Sequence, residues 1–376
     1  MKKLIAWVLG LVLLLGLTAC GSGGESASQS DWVTYKEIYD RVKNDNGEDI
    51  LVYSYQQPVL NGDASGVNII NTKLDNATTA FLYGSGGVQE MTELAKMDWK
   101  EAWFTCYSLT RETSVARLDD VVVSFRYSDY AFTGGVHGYT AEYGMTYDMV
   151  SGEQLTLASL THDEWALKEV CRQYILEVLA QEDLEYKNGL FPDYMSYLDV
   201  VLKNWVLTDE GLQFIAQPYV IAAYAVGTLR ITVPYDRIAH VLDEQWVPKA
   251  PTREAGSVTV SVVEEVPKGM TNFVISDTGM QFVVNVSGTV YDLAVEGVNS
   301  YPSGGTTVFY MTQQHLFSPK VTSERFAMRV SVPDTRPETM LCWKDSEGNA
   351  FQYYLIYDGK TGGVVMKAAN PQLTRE

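Results

Sequence analysis

Past residue 257 the chain is written in strand-length apolar runs: VTVSVVEE, NFVIS, MQFVVNVSG, TVYDLAVEGV, TTVFYMT, RFAMRVSVP, MLCWKD, FQYYLIYDG and GVVMKA. Turn signals separate them and the pattern is β only. A segment of this kind closes its core by laying sheet on sheet, which predicts a β-sandwich-like domain over 258–370. The Pro-, Gly- and charge-rich VPKAPTREAGS before it predicts a linker at 248–257.

Upstream the texture is mixed. In 48–132 the run ILVYSYQQPVL predicts a short strand. Ile70, Leu74, Ala77 and Phe81 recur on one face and predict a helix, stopped by Gly84-Ser85-Gly86-Gly87. Two long strands follow, at about 102–115 and 120–132. A second unit, 133–247, opens at the turn Thr133-Gly134-Gly135, with strands expected at 139–149 and 154–157. Thr161-His162-Asp163-Glu164 then predicts a helix start with Thr161 as N-cap. Leu167, Cys171, Tyr174, Ile175 and Val178 form that helix's buried stripe. A helix near 194–202, a hairpin turning at Asp209-Glu210-Gly211 and a strand at 228–233 stopped by Pro234 complete the unit. The expected class is α+β: helices packed on antiparallel sheet in two joined units, then the all-β C-terminal domain.

The first twenty residues speak to location. Lys2 and Lys3 precede an uncharged apolar run from Leu4 to Leu17, and small residues lead to Cys20, the pattern of a secretion signal. As a helix that run spans only about 21 Å, against a hydrocarbon core of roughly 30 Å. The ending Leu17-Thr18-Ala19-Cys20 resembles the lipobox of bacterial lipoproteins. The resemblance implies a signal peptide at 1–19, diacylglycerol on Cys20, membrane attachment through that lipid and an extracytoplasmic place for the rest. Residues 20–47 then act as a tether, opening with the flexible GSGGESASQS.

With 28 Lys and Arg against 47 Asp and Glu, the formal net charge is −19, and loss of Lys2 and Lys3 with the leader makes it more negative. Nucleic acid and anionic wall polymers are poor partners for such a surface, whereas a cationic protein is steered toward it. Cys106, Cys171 and Cys342 remain beside Cys20, with no Cys-x-x-Cys. That excludes a disulfide framework and favours buried free thiols, with one bond between two of them left open.

The stretch TGGVHGYTAEYGMTYDMVSGEQLTLASL, followed by NWVLTDEGLQFIAQPYVIAAYAVGTLRITVPYDRI, resembles the extracytoplasmic domain of RsiV-type anti-sigma factors, also found in PdaC-type peptidoglycan deacetylases. The Gly-Gly-x-His-Gly turn, the Ser151-Gly152 turn, the Glu-Gly hairpin and Ile221 to Tyr224 carry it. The preceding unit resembles the PdaC amino-terminal partner domain, with Ile70-Asn71 opening its helix. The likeness spans about 48–241 and implies recognition of a lysozyme-type muramidase or of peptidoglycan glycan. An anti-sigma factor needs a sigma-binding segment and a membrane helix, for which only 19 residues precede Cys20. A deacetylase of that type needs an Asp and a His-x-x-x-His pair on a metal, and the histidines at 137, 162, 240 and 315 supply no such pair.

Asp277-Thr278-Gly279 matches the aspartic-protease tripeptide but occurs once and reads as a turn. His137 reads as a turn histidine or a partner contact rather than a base or ligand, and His162 and Glu164 as helix-cap residues. Tyr127, Tyr130, Tyr139, Tyr143 and Tyr147 flank the glycine turn and suit a protein interface, sugar stacking or a half-buried sheet. The expectation is a surface-anchored, non-catalytic binding lipoprotein with no catalytic residue, metal or cofactor. Its binding edge is expected at Gly134, Gly135, His137, Gly138, Tyr139 and Tyr130. An unrecognised wall hydrolase and a purely structural surface protein are the alternatives.

Overall fold

The computed structural model describes residues 32–181, 187–248, 256–263, 265–303, 306–333 and 336–373. The leader, Cys20 and most of the 248–257 linker lie outside these residues. Among those described, no helix is long and apolar enough to cross a membrane.

The chain opens with a hairpin of β1 (Trp32–Lys43) and β2 (Asp49–Asn61), so 32–43, assigned to the tether above, is instead a full strand. Its alternation of apolar and polar side chains is short, and the charges of YKEIYDRVK mask it. Two helices follow, α1 (Val67–Tyr83) and α2 (Val88–Asp98). Gly84 ends α1 as expected, but the same glycine run also starts α2, which the sequence reading passed over. Val88, Met91 and Ala95 recur at i, i+3 and i+7 and are buried. Then come β3 (Tyr107–Leu118), β4 (Val122–Phe132) and β5 (Tyr139–Asp148). Strands β2 and β3 pair in parallel, because the α1–α2 crossover returns the chain to its starting end. The expected all-antiparallel sheet is corrected there.

The middle segment holds α3 (Glu164–Leu179), the short α4 (Leu198–Val201), β6 (Trp205–Leu207), β7 (Gly211–Ala216), β8 (Leu229–Pro234) and α5 (Tyr235–Ile238). The α3 cap is Asp163, whose side chain accepts from Ala166 N at 3.0 Å. Thr161, expected there, instead donates its hydroxyl to Val241 O and accepts from Asp163 N. Leu167, Cys171, Ile175 and Leu179 are fully buried against β6–β8.

Strands β3–β5 are shared. Their one face carries Tyr107, Leu109, Phe125, Tyr127 and Tyr147, packed under α1 and α2. Their other face meets β6–β8, so closely that a Cβ on Gly144 would lie 2.2 Å from Trp205 O. Side-chain amides finish this junction. Asn204 Oδ1 accepts from Gly144 N at 3.1 Å, and Gln217 Oε1 accepts from Glu142 N at 2.9 Å, which satisfies part of the exposed β5 edge.

The remaining strands are β9 (Ser257–Val262), β10 (Asn272–Val274), β11 (Met280–Ser287), β12 (Thr289–Ser303), β13 (Thr306–Thr322), β14 (Arg325–Val330), β15 (Thr339–Lys344), β16 (Ala350–Asp358) and β17 (Gly363–Ala368). All nine expected runs are strands, and Asp277–Gly279 is the turn between β10 and β11. They form a sandwich: a four-stranded sheet β10-β14-β11-β9 faces β17-β16-β15-β12-β13 over one core. The second of these layers does not stop at the sandwich. Strand β13 pairs with β1, giving one ten-stranded sheet, β17-β16-β15-β12-β13-β1-β2-β3-β4-β5. Trp32 of β1 packs its ring 5.0 Å from Phe273 and 5.1 Å from Phe326, inside the sandwich core. At the seam, buried Gln314 accepts from Tyr35 OH at 2.6 Å and Val115 N at 3.2 Å and donates to Glu296 at 2.9 Å.

Candidate functional site

The β4–β5 hairpin ends in the turn 133–138, and its geometry is set by glycine. Gly134 and Gly135 have φ of +92° and +93°, a region L side chains resist. Nothing lies within 4 Å of a Cβ built on Gly135, so the need there is purely conformational. Gly138 differs: it is buried, and a Cβ would lie 2.5 Å from the Tyr130 ring.

Around this turn the chain gathers exposed aromatic side chains from three segments. Tyr130 lies two residues before the end of β4 and Tyr139 begins β5; they are 39% and 44% exposed, and Val136 between them is 97% exposed. Trp103, from the loop after α2, reaches within 3.9 Å of the Cβ position of Gly134. The segment after β7 adds Tyr219 and Tyr224. Tyr224 stacks on His137 at 4.3 Å, with 19° between planes, and Tyr219 stacks on Tyr224 at 5.5 Å. A ladder of three rings results.

Hydrogen bonds fix the ladder. Gly138 O accepts from Tyr224 OH at 2.7 Å and from His137 Nδ1 at 2.8 Å. With Nδ1 carrying the proton, Nε2 is left to accept from a partner. Tyr219 holds a φ of +68°, uncommon for a bulky residue and the kind of strain that gathers at binding sites. Of the expected edge, Gly134, Gly135, His137, Gly138, Tyr139 and Tyr130 all fall at this one end. Tyr127, Tyr143 and Tyr147 do not: they are interior. Tyr127 and Tyr143 stack at 5.0 Å and, with Tyr55 and Phe81, ring the guanidinium of Arg111, itself paired bidentately with Asp129 at 2.7 and 2.6 Å. Tyr219 and Trp103 were missed, since neither lies near the turn in sequence; Tyr224 was noted only as a landmark.

Elsewhere, His162 is almost fully exposed, 3.3 Å from Asp243, and Glu164 pairs with Lys168 on the surface of α3. The three cysteines beyond the leader are free. Cys171 is buried, and burial pushes its thiol up to about 12; Cys106 and Cys342 are only half-buried, so the buried reading holds for one of three. Among the described residues no group of three or more His, Cys, Asp or Glu side chains is placed to hold a metal ion.

Residues 44–140 match the family model described as deacetylase PdaC, and residues 164–236 that of DUF3298, a protein family of unknown function. The glycine turn at 133–138 falls within the first of these matches. A DUF3298 family member from Bacteroides fragilis is 19% identical, covering 57% of this chain and 94% of its own, with a TM-score of 0.44. Another from Pseudomonas aeruginosa is 17% identical, covering 58% and 96%, with a TM-score of 0.40. No curated protein matches the chain. Two separate stretches of the chain are thus similar to family models, the first running from β2 to the start of β5 and the second from α3 to the start of α5.

Proposed function

We propose that this is a surface-anchored, non-catalytic binding lipoprotein, held through lipid on Cys20, whose ligand is a lysozyme-type muramidase docked on the aromatic edge. The observation that carries the reading is the ring ladder His137-Tyr224-Tyr219 beside exposed Tyr130, Tyr139 and Val136. Large amphipathic rings held rigid by hydrogen bonds lose little entropy on contact and supply much of the energy of protein interfaces. The net charge of −19 supports a cationic partner, since the field raises encounter rates with a protein of opposite sign.

Calorimetry with a c-type lysozyme tests it. Binding is expected at low salt, weakening as ionic strength rises and the field is screened beyond about 10 Å. Tyr224→Ala should weaken it tenfold or more. Absence of heat and of co-elution at low salt would sink the muramidase reading, and co-sedimentation with insoluble peptidoglycan instead would move the ligand to the glycan. Clearing of peptidoglycan in a zymogram would overturn the non-catalytic part.

A further inference from the structure

The chain holds three Asn-Gly pairs, Asn46-Gly47, Asn61-Gly62 and Asn188-Gly189, and the fold treats them differently. In such a pair the glycine backbone nitrogen can attack the asparagine side-chain carbonyl. A bond forms between the glycine N and the asparagine Cγ, the nitrogen gives its proton to solvent base, ammonia leaves and a cyclic succinimide remains. Water then opens the ring at either carbonyl, giving aspartate or isoaspartate. One water enters and one ammonia departs, so no oxidant or metal is involved. The step needs an asparagine side chain that is not held elsewhere and a backbone free to turn toward it, which glycine permits.

Two of the pairs are restrained. The Asn61 amide donates to Trp32 O at 3.2 Å, Thr34 Oγ1 at 3.3 Å and Val59 O at 3.2 Å, and its backbone stands opposite Trp32 in the β1–β2 ladder. Asn188 lies in a short 3-10 turn, where Gly189 O accepts from Ala223 N at 2.8 Å and a Cβ on Gly189 would lie 2.2 Å from Val226. Asn46 meets neither restraint. It is exposed in the β1–β2 turn, its side-chain amide has no hydrogen-bond partner among the described residues, and nothing lies within 4 Å of a Cβ built on Gly47. The turn is shaped by its neighbour instead: Asn44 Oδ1 accepts from Asn46 N at 2.9 Å and Glu48 N at 3.0 Å. Gly47 N donates to Asn44 O at 3.0 Å, an exposed bond of the kind that opens locally without unfolding.

We propose that Asn46 is a site of self-catalysed deamidation, singled out from the other two pairs by the fold. The turn stands at the same end of the sheet as the glycine turn, since Leu51 pairs with Tyr107 and Ser108 with Phe132. Each event replaces a neutral amide by a carboxylate there and deepens the negative field of that end. The site shares no residue with the aromatic edge and does not depend on the muramidase reading. The test is peptide mapping by mass spectrometry of the folded full chain held at mildly alkaline pH, with the same chain in concentrated urea as reference. The Asn46 peptide is expected to gain the mass of hydroxyl over amino and to yield aspartyl and isoaspartyl forms, at least tenfold faster than the Asn61 and Asn188 peptides. In urea that gap should close. Gly47→Ala and Asn46→Gln should each slow the conversion tenfold or more, the first by a Cβ that hinders attack and the second by a longer side chain that closes its ring less readily. Thermal melts would show that the fold survives both. An Asn46 peptide unchanged in the folded chain while it converts in urea, equal rates at Asn61 or Asn188, or indifference to both substitutions would overturn the proposal.

Discussion

At the scale of single residues, the proposed binding edge depends on backbone freedom more than on any reactive group. Gly135 sits at a φ of +93° with open space around it, so adding a side chain strains the backbone without a clash. Gly135→Val should cost about 1–3 kcal/mol in urea denaturation and misplace Tyr130 and Tyr139. An unchanged midpoint would show that the turn relaxes freely. His137→Ala should leave stability nearly unaltered, since the ring bonds only to Gly138 O and stacks on Tyr224. The anchor is a separate matter at the same scale. Replacing Cys20 by Ala should abolish labelling by a fatty-acid probe and release the chain from membranes or trap its precursor. Retained label would refute the lipid attachment. Of these features the glycine turn was plain in the sequence because five consecutive residues carry it. The ring ladder was not, because Tyr219 and Tyr224 come from eighty residues downstream and meet His137 only through the fold.

Among the elements, junctions matter most. The β6–β7 turn places Asp209 against the sandwich, where Lys344 of β15 lies 3.9 Å away and itself holds Asp292 of β12 at 2.9 Å. Partial desolvation beside the sandwich, with Asp292 nearby, raises the Asp209 carboxyl above the ordinary carboxylate range, while nearly half of its side chain still meets solvent. An acid with a raised pKa keeps its proton longer in the folded chain than in the unfolded one. Folding then takes up a proton, and this group's contribution is lost as pH climbs upward from the ordinary carboxylate range. Asp209→Asn should therefore flatten the fall in melting temperature as pH rises from about 4 toward neutrality, and an identical pH profile would contradict the assignment. Strand positions were legible because each carries its own alternation. Helix α2 could have been found from its i, i+3, i+7 spacing. Strand β1 was hidden because its exposed half is charged, as edges guarding against aggregation often are. The α3 cap slipped by two residues, since Thr161 spends its hydroxyl on Val241 O.

The whole molecule departs most from what local patterns imply. Sequence texture divides the chain into three units, yet hydrogen bonding runs through all of them: β1 joins β13, Trp32 fills the sandwich core, and Gln314 ties Tyr35, Val115 and Glu296 together. Such pairings join residues nearly three hundred positions apart, beyond any local signal. The consequence is cooperative unfolding. Calorimetry of the full chain should give one transition, and a fragment ending at residue 248 should fail to reach the stability of the whole, because it bares Trp32 and the β1 edge. Two well-separated transitions would argue for an independent sandwich. The proposed docking of a lysozyme-type partner on the aromatic edge is read residue by residue by amide hydrogen exchange with and without a c-type lysozyme. Slowed exchange in 130–139 and 219–224 is the predicted result. Protection confined to other surfaces, or none at saturating lysozyme, would contradict it.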